Sequence, residues 1–148
     1  PNSSFEVTFS KKNANQGQAS YIFRKMYNFI NSNQTTRLQD DVQVEHVMPK
    51  VGNQWFAKDL ISTNEHKEFK ERLGNKTLLT PIKNTMVSNK IYSEKLRYYK
   101  QQNISLTNAD KNQLDKKFSV TYYKEWNTKS IDDRQKALAK VAKDIWGF

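Results

Sequence analysis

The sequence predicts an α+β domain, mostly helical, with a strand, connection, strand, helix core. Three observations predict it. Apolar residues recur at three- and four-residue intervals in two long stretches, from Ala19 to about Ser32 and from Ile131 to Ile145. Val42-Gln43-Val44-Glu45-His46-Val47 alternates with period two, as a half-buried strand does. A second strand-like run, Lys76-Thr77-Leu78-Leu79-Thr80, follows some thirty residues later. The 148 residues suit one core and not two, so a single domain over 1–148 is expected.

Taken in order, Phe5, Val7 and Phe9 alternate, so residues 1–16 predict a strand or an extended leading segment, overlapped by the polar run Lys11 to Gln18. A helix from Ala19 carries Ile22, Phe23, Met26, Tyr27, Phe29 and Ile30. A polar loop from Asn33 to Asp41 leads into the 42–47 strand, which Pro49 stops because it has no amide hydrogen to donate. Neighbouring positions of a strand face opposite sides, so Glu45 and His46 diverge. Between Gly52 and Gly74 the pattern predicts a connection ending in a helix from Thr63 to Leu73. Thr63 is its expected cap, with His66 where Glu is usual, and Gly74 closes it. Pro81 suits the first turn of the next helix, which carries Asn84 one turn in. Ser93 to Gln102 reads as helix, Asn103 to Asn108 as loop, and 109–123 as either helix or strand. The closing helix shows the stripe Ile131, Arg134, Leu138, Val141, Ala142, Ile145.

Composition narrows the function. With 36% hydrophobic residues, three Trp, seven Tyr and eight Phe, the chain has enough apolar matter to fold. Its net charge is +10 and its pI about 9.7, an excess that attracts polyanions. Half of it lies between Lys76 and Lys100, where Lys76, Lys83, Lys90, Lys95, Arg97 and Lys100 meet Glu94 alone. A solvated lysine surface is the plain reading, but the concentration beside the residues discussed next favours contact with phosphate. Lys90, Lys95 and Arg97 are the candidates, with Lys83 and Asn89 as lesser ones. Tyr92, Tyr98 and Tyr99 have the spacing of packing residues rather than of a base-stacking platform.

The absence of Cys excludes disulfides, a thiolate zinc site and a Cys nucleophile. No apolar run approaches a membrane span and no leader opens the chain, so a cytoplasmic protein without membrane partners is expected. A chain that begins at Pro1 without Met reads as part of a longer one, with the missing part upstream.

The chemistry centres on Glu45-His46-Val47-Met48-Pro49, Asn75 and Asn84. Phosphodiester hydrolysis needs a general base for water, and imidazole is the side chain already poised near neutrality; His46 is the candidate. On the other side of the strand, the Glu45 carboxylate can join the Asn84 side-chain oxygen on a hard divalent cation, Mg²⁺ with Mn²⁺ as substitute. Asn75, after Gly74, is a favoured turn residue. His66 is assigned no role.

These residues resemble the HNH, or His-Me finger, nucleases. Their pattern of an acid or His, then His, two residues and Pro, then Asn-x-x-x-Leu, and Asn or His nine residues after the first Asn, is met by Glu45 to Pro49, Asn75 to Leu79 and Asn84. Leu73 to Thr80, Ser88-Asn89-Lys90 with Lys95, and Trp126, Ile131, Arg134, Leu138 and Ile145-Trp146 further resemble the C-terminal nuclease domain of GmrSD-type, modification-dependent restriction systems. The resemblance implies a ββα-metal finger over about 42–92, flanked by helices at about 19–32 and 93–148. It implies that Asn75 holds the loop and aims His46 at water. It also implies a Mg²⁺-dependent endonuclease or nickase of double-stranded DNA, leaving 5′ phosphate and 3′ hydroxyl ends, in restriction or phage defence. An upstream regulatory or nucleotide-hydrolysing domain would choose the target. One finger cuts one strand, so double-strand cleavage needs a homodimer or successive nicks. Ser88 stands where the commoner pattern has His, leaving the metal two protein ligands and weak affinity. Two other readings stay open: a non-catalytic basic module that binds nucleic acid, and a nuclease that cuts RNA with the same finger.

Overall fold

The computed structural model describes residues 3–32, 38–82 and 84–146, without the side chains of residues 3, 4, 84 and 85. Helices surround a small two-stranded antiparallel sheet, the mixed α+β class that the sequence predicts. The leading segment is a correction: it forms helix α1, Ser3–Ser10, and not a strand. Phe5 and Phe9 satisfy either period, since they are both two pleats and one helical turn apart. In the helix their rings lie 5.8 Å apart, while Val7, the residue that would decide for a strand, is 58% exposed.

Helix α2, Gln16–Ile30, starts three residues before the apolar stripe does. Its N-cap is Asn15, whose side chain accepts from the Gln18 amide at 2.9 Å while Gln18 Oε1 accepts from the Asn15 amide at 3.0 Å. This reciprocal cap lies within what reads from sequence as an undivided polar run.

Strands β1, Gln43–His46, and β2, Lys76–Leu79, pair in a register that sets Glu45 opposite Thr77 and His46 opposite Lys76. The sheet separates two apolar clusters. Leu78 joins Phe23 and Met26 of α2, and Leu79 joins Trp55, Tyr99, Trp126 and Ile131 on the other side, as period-two alternation requires. All four β2 residues are buried.

Between the strands run α3, Asn53–Ala57, and α4, Thr63–Phe69. The cap of α4 is Ser62, one residue before the expected Thr63, and Glu65 completes the capping box. The helix ends at Phe69, so Gly74 does not cap it. Gly74 lies in a 3-10 turn, Leu73–Asn75, where an added Cβ would stand 2.5 Å from the Ile131 carbonyl oxygen and 2.9 Å from Gln135 Cβ. It is glycine because the closing helix passes directly over it.

After β2 come α5, Asn84–Val87, and α6, Tyr92–Tyr99. Asn84 begins α5 rather than lying one turn inside it, and Pro81 falls in the preceding irregular segment. Residues 109–123 form neither helix nor strand of any length but three 3-10 turns, at Ala109–Lys111, Lys116–Phe118 and Val120–Tyr122. Helix α7, Thr128–Trp146, closes the chain. Among the described residues no helix is long and apolar enough to cross a membrane.

Arg134 of α7 organises the interior. Its guanidinium is wholly buried and donates to the carbonyls of Phe118 (2.9 Å), Gly74 (2.9 Å), Leu106 (3.1 Å) and Lys76. Burial pushes its pKa down to about 10, which leaves it charged at neutral pH. Arginine suits this place because its planar fork spreads donors toward several acceptors at once.

Candidate active site

The site grows from the end of β1. Past His46 the ladder continues for one more bond, from the Val47 amide to the Asn75 carbonyl at 2.9 Å. The Asn75 side chain then takes over. Its Oδ1 accepts from the Met48 amide and from the Trp126 indole nitrogen, each at 2.9 Å. Its Nδ2 donates to the carbonyls of Met48 and Lys70, also at 2.9 Å. Fully buried, the amide satisfies all four of its hydrogen-bonding positions, and so pins the turn that follows His46.

Glu45 and His46 face opposite sides of the sheet, as the strand reading expects. Glu45 Oε2 accepts from Lys95 Nζ at 3.1 Å and from the Tyr99 hydroxyl at 2.7 Å, both from α6. Lys95 Nζ also donates to the carbonyls of His46 (2.8 Å) and Val47 (2.9 Å), so its three donors meet three oxygens. Burial lowers the Lys95 pKa against the opposing pull of Glu45. Burial, with the Glu45 charge added, holds the Tyr99 hydroxyl well above its usual value. Among the described residues both side-chain hydrogen bonds to Glu45 fall on Oε2, and none reaches Oε1.

On the other face, His46 Nε2 lies within hydrogen-bond distance of Glu71 Oε1 at 2.9 Å, and Glu71 Oε2 lies 3.3 Å from Lys76 Nζ. Lys76 is buried and also donates to the Ala14 carbonyl. Burial lowers the His46 pKa, only partly offset by the Glu71 hydrogen bond, and the charges of Lys76 and Lys50 push it the same way. Burial would raise the Glu71 carboxyl, but the hydrogen bond from His46 and the Lys76 charge outweigh it and bring it below its ordinary value. At neutral pH the pair is therefore a neutral imidazole on a carboxylate.

Of the expected phosphate contacts, Lys95 is placed elsewhere: it is fully buried on Glu45 and two carbonyls, not turned to solvent. Lys76, counted in the same basic run, is likewise internal. Asn89 is exposed, and Lys90 is half-buried with Nζ 3.7 Å from Glu94. Arg97 is exposed, its guanidinium 4.8 Å over the Tyr98 ring. Lys83 and the Asn84 side chain lie outside the described residues. Among the described residues no three His, Asp or Glu side chains gather as a metal cage. His66, left without a role, is a packing residue whose Nε2–H donates to the Pro49 carbonyl at 2.7 Å.

Sequence reasoning missed Glu71, Tyr99 as a partner of Glu45, Trp126 as a partner of Asn75, and exposed Lys50, whose charge reaches His46. Lys50 alone had a local signal, directly after Pro49. Glu71 becomes visible only once the register sets Lys76 opposite His46.

No curated protein and no solved structure matches the chain. A family model does, across residues 1–141, and it describes the C-terminal domain of GmrSD restriction endonucleases. That span takes in both strands, the buried Asn75 amide, Lys95 and most of α7, so the chain belongs to the GmrSD restriction endonuclease C-terminal domain family.

Proposed function

We propose that this domain is an HNH-type endonuclease that hydrolyses DNA phosphodiester bonds with one divalent metal, nicking or cleaving DNA in restriction or phage defence. The observation that carries the reading is the His46 imidazole, held 2.9 Å from the Glu71 carboxylate at the end of a strand whose next turn is locked by Asn75. A neutral imidazole in a fixed position is what a general base requires. Strands β1 and β2 with α5 would form the ββα-metal finger.

In this reading His46 takes the proton of the attacking water, and Asn75 keeps the His46 turn rigid. Glu45, its Oε2 anchored by Lys95 and Tyr99, offers Oε1, and Asn84 at the start of α5 offers its amide oxygen. An all-oxygen donor set completed by water and phosphate fits Mg²⁺ or Mn²⁺. Such an ion, when bound, would neutralise charge on the phosphate and on the departing 3′ oxygen. Exposed Lys50, Asn89 and Arg97, with half-buried Lys90, supply the polar surface for the backbone, and Lys83 lies beside them in sequence. Target choice, dimerisation and an upstream nucleotide-hydrolysing domain belong to the same proposal, as the family's restriction setting suggests.

The test is a supercoiled-plasmid assay with Mg²⁺ and Mn²⁺, with and without EDTA. Metal-dependent nicking that His46→Ala slows on the order of 100-fold or more is expected. Salt-sensitive binding with no nicking in any metal would leave a basic binding module instead. Preferential cutting of RNA in a parallel digest would change the substrate.

A further inference from the structure

Resting on the reading of His46 as the base, we propose that Glu71 and Lys76 form a positioning relay that fixes which ring nitrogen of His46 carries the proton. Lys76 Nζ is an obligate donor; it is buried, and it lies 3.3 Å from Glu71 Oε2. The other oxygen, Oε1, accepts from His46 Nε2 at 2.9 Å. Because a carboxylate only accepts, a neutral His46 must place its proton on Nε2, which leaves the Nδ1 lone pair for a water proton. Among the described residues no hydrogen bond reaches Nδ1.

The relay is anchored from outside the two strands. Lys76 also donates to the Ala14 carbonyl, and the Ala14 amide donates to the Glu71 carbonyl at 3.1 Å. The segment between α1 and α2 thereby holds both members. Neither Glu71 nor this segment lies in the motif that marks the site in the sequence.

The arrangement makes an unusual demand on the near-isosteric variant. In Glu71→Gln the amide has one accepting end and one donating end. Lys76 can only donate, so the amide oxygen turns to Lys76 and the NH₂ group faces His46. The imidazole must then accept at Nε2 and carry its proton on Nδ1, which removes the lone pair from the working nitrogen. Glu71→Ala imposes no such reversal, because water can replace the lost carboxylate at this partly exposed position.

Two measurements on the same purified chains test this. Long-range ¹H–¹⁵N NMR of the imidazoles reads the tautomer directly; the chain has two His, and His46→Ala assigns the signals. The Nε2–H form is expected in the parent protein and in Glu71→Ala, and the Nδ1–H form in Glu71→Gln. In plasmid nicking, Glu71→Gln should lower kcat on the order of 100-fold or more with KM for DNA little changed. Glu71→Ala should lose less, the reverse of what a space-filling role gives. An Nε2–H ring in Glu71→Gln, or nicking by it as fast as by Glu71→Ala, overturns the relay. If His46→Ala cuts as fast as the parent, the assignment of the base falls instead, while the NMR result still decides the tautomer.

Discussion

Lys95 and Glu45 are 50 residues apart in sequence, yet the ammonium lies 3.1 Å from Oε2 and is fully enclosed. The contact fixes α6 against the end of β1 and leaves the second carboxylate oxygen of Glu45 unengaged by any described hydrogen-bond donor. A basic residue that reads from the sequence as a surface contact is in fact an internal strut.

Lys95→Met should therefore act on stability before it acts on DNA affinity. Removing the cation strands Glu45 and two backbone carbonyls in a buried place, a loss of about 3 to 5 kcal/mol. Urea unfolding measures it, and the salt dependence of DNA binding should stay unchanged. A lower salt slope with unchanged unfolding would return Lys95 to the surface.

Asn75 offers a test by charge. Asn75→Ala removes the partner of four polar groups, three of them in buried hydrogen bonds, and should cost about 2 kcal/mol or more. Asn75→Asp should be worse at pH 8 than at pH 5, because a carboxylate would face the Met48 and Lys70 carbonyls, whereas a protonated carboxyl can donate to one of them. The introduced group's pKa is raised by folding, so its destabilisation grows with pH. Melting temperatures of the two variants across that range decide the matter; a difference of the opposite sign rules out this orientation of the amide.

Acid should loosen the fold in two stages. The folded pKa of His46 lies below its ordinary 6.5, so the unfolded chain holds that proton more tightly. The resulting stability is complete above 6.5 and is lost as pH falls below it. Glu71, lowered from 4.5, adds a second loss at more acid pH. Urea midpoints at pH 7.5 and 5.0 should fall in the parent chain and fall less in His46→Ala. An equal fall in both would mean that His46 is not the group responsible.

The sequence made legible whatever rests on local periodicity or fixed spacing. The β1 run, the stripe of α7 and the order Glu45, His46, Asn75, Asn84 are of that kind. It failed where one pattern satisfied two periods, as with Phe5 and Phe9, where a cap lay inside a polar run, as at Asn15, and where two adjacent residues could each cap, as at Ser62 and Thr63. It also failed where a residue's role depends on a distant neighbour. Gly74 has its reason in α7, Lys95 in Glu45, and Glu71 in a strand register that no short window contains.

The Arg134 guanidinium has a consequence for anyone dividing this chain. Four carbonyls, two from the turn and strand beside Asn75 and two from the irregular stretch after α6, converge on one cation near the far end of the sequence. A shortened protein that kept every residue of the motif but stopped before α7 would expose those oxygens to the interior with nothing to bind them. The stretch holding the chemistry is thus no portable cassette, and grafting it into another scaffold would require carrying the last helix along.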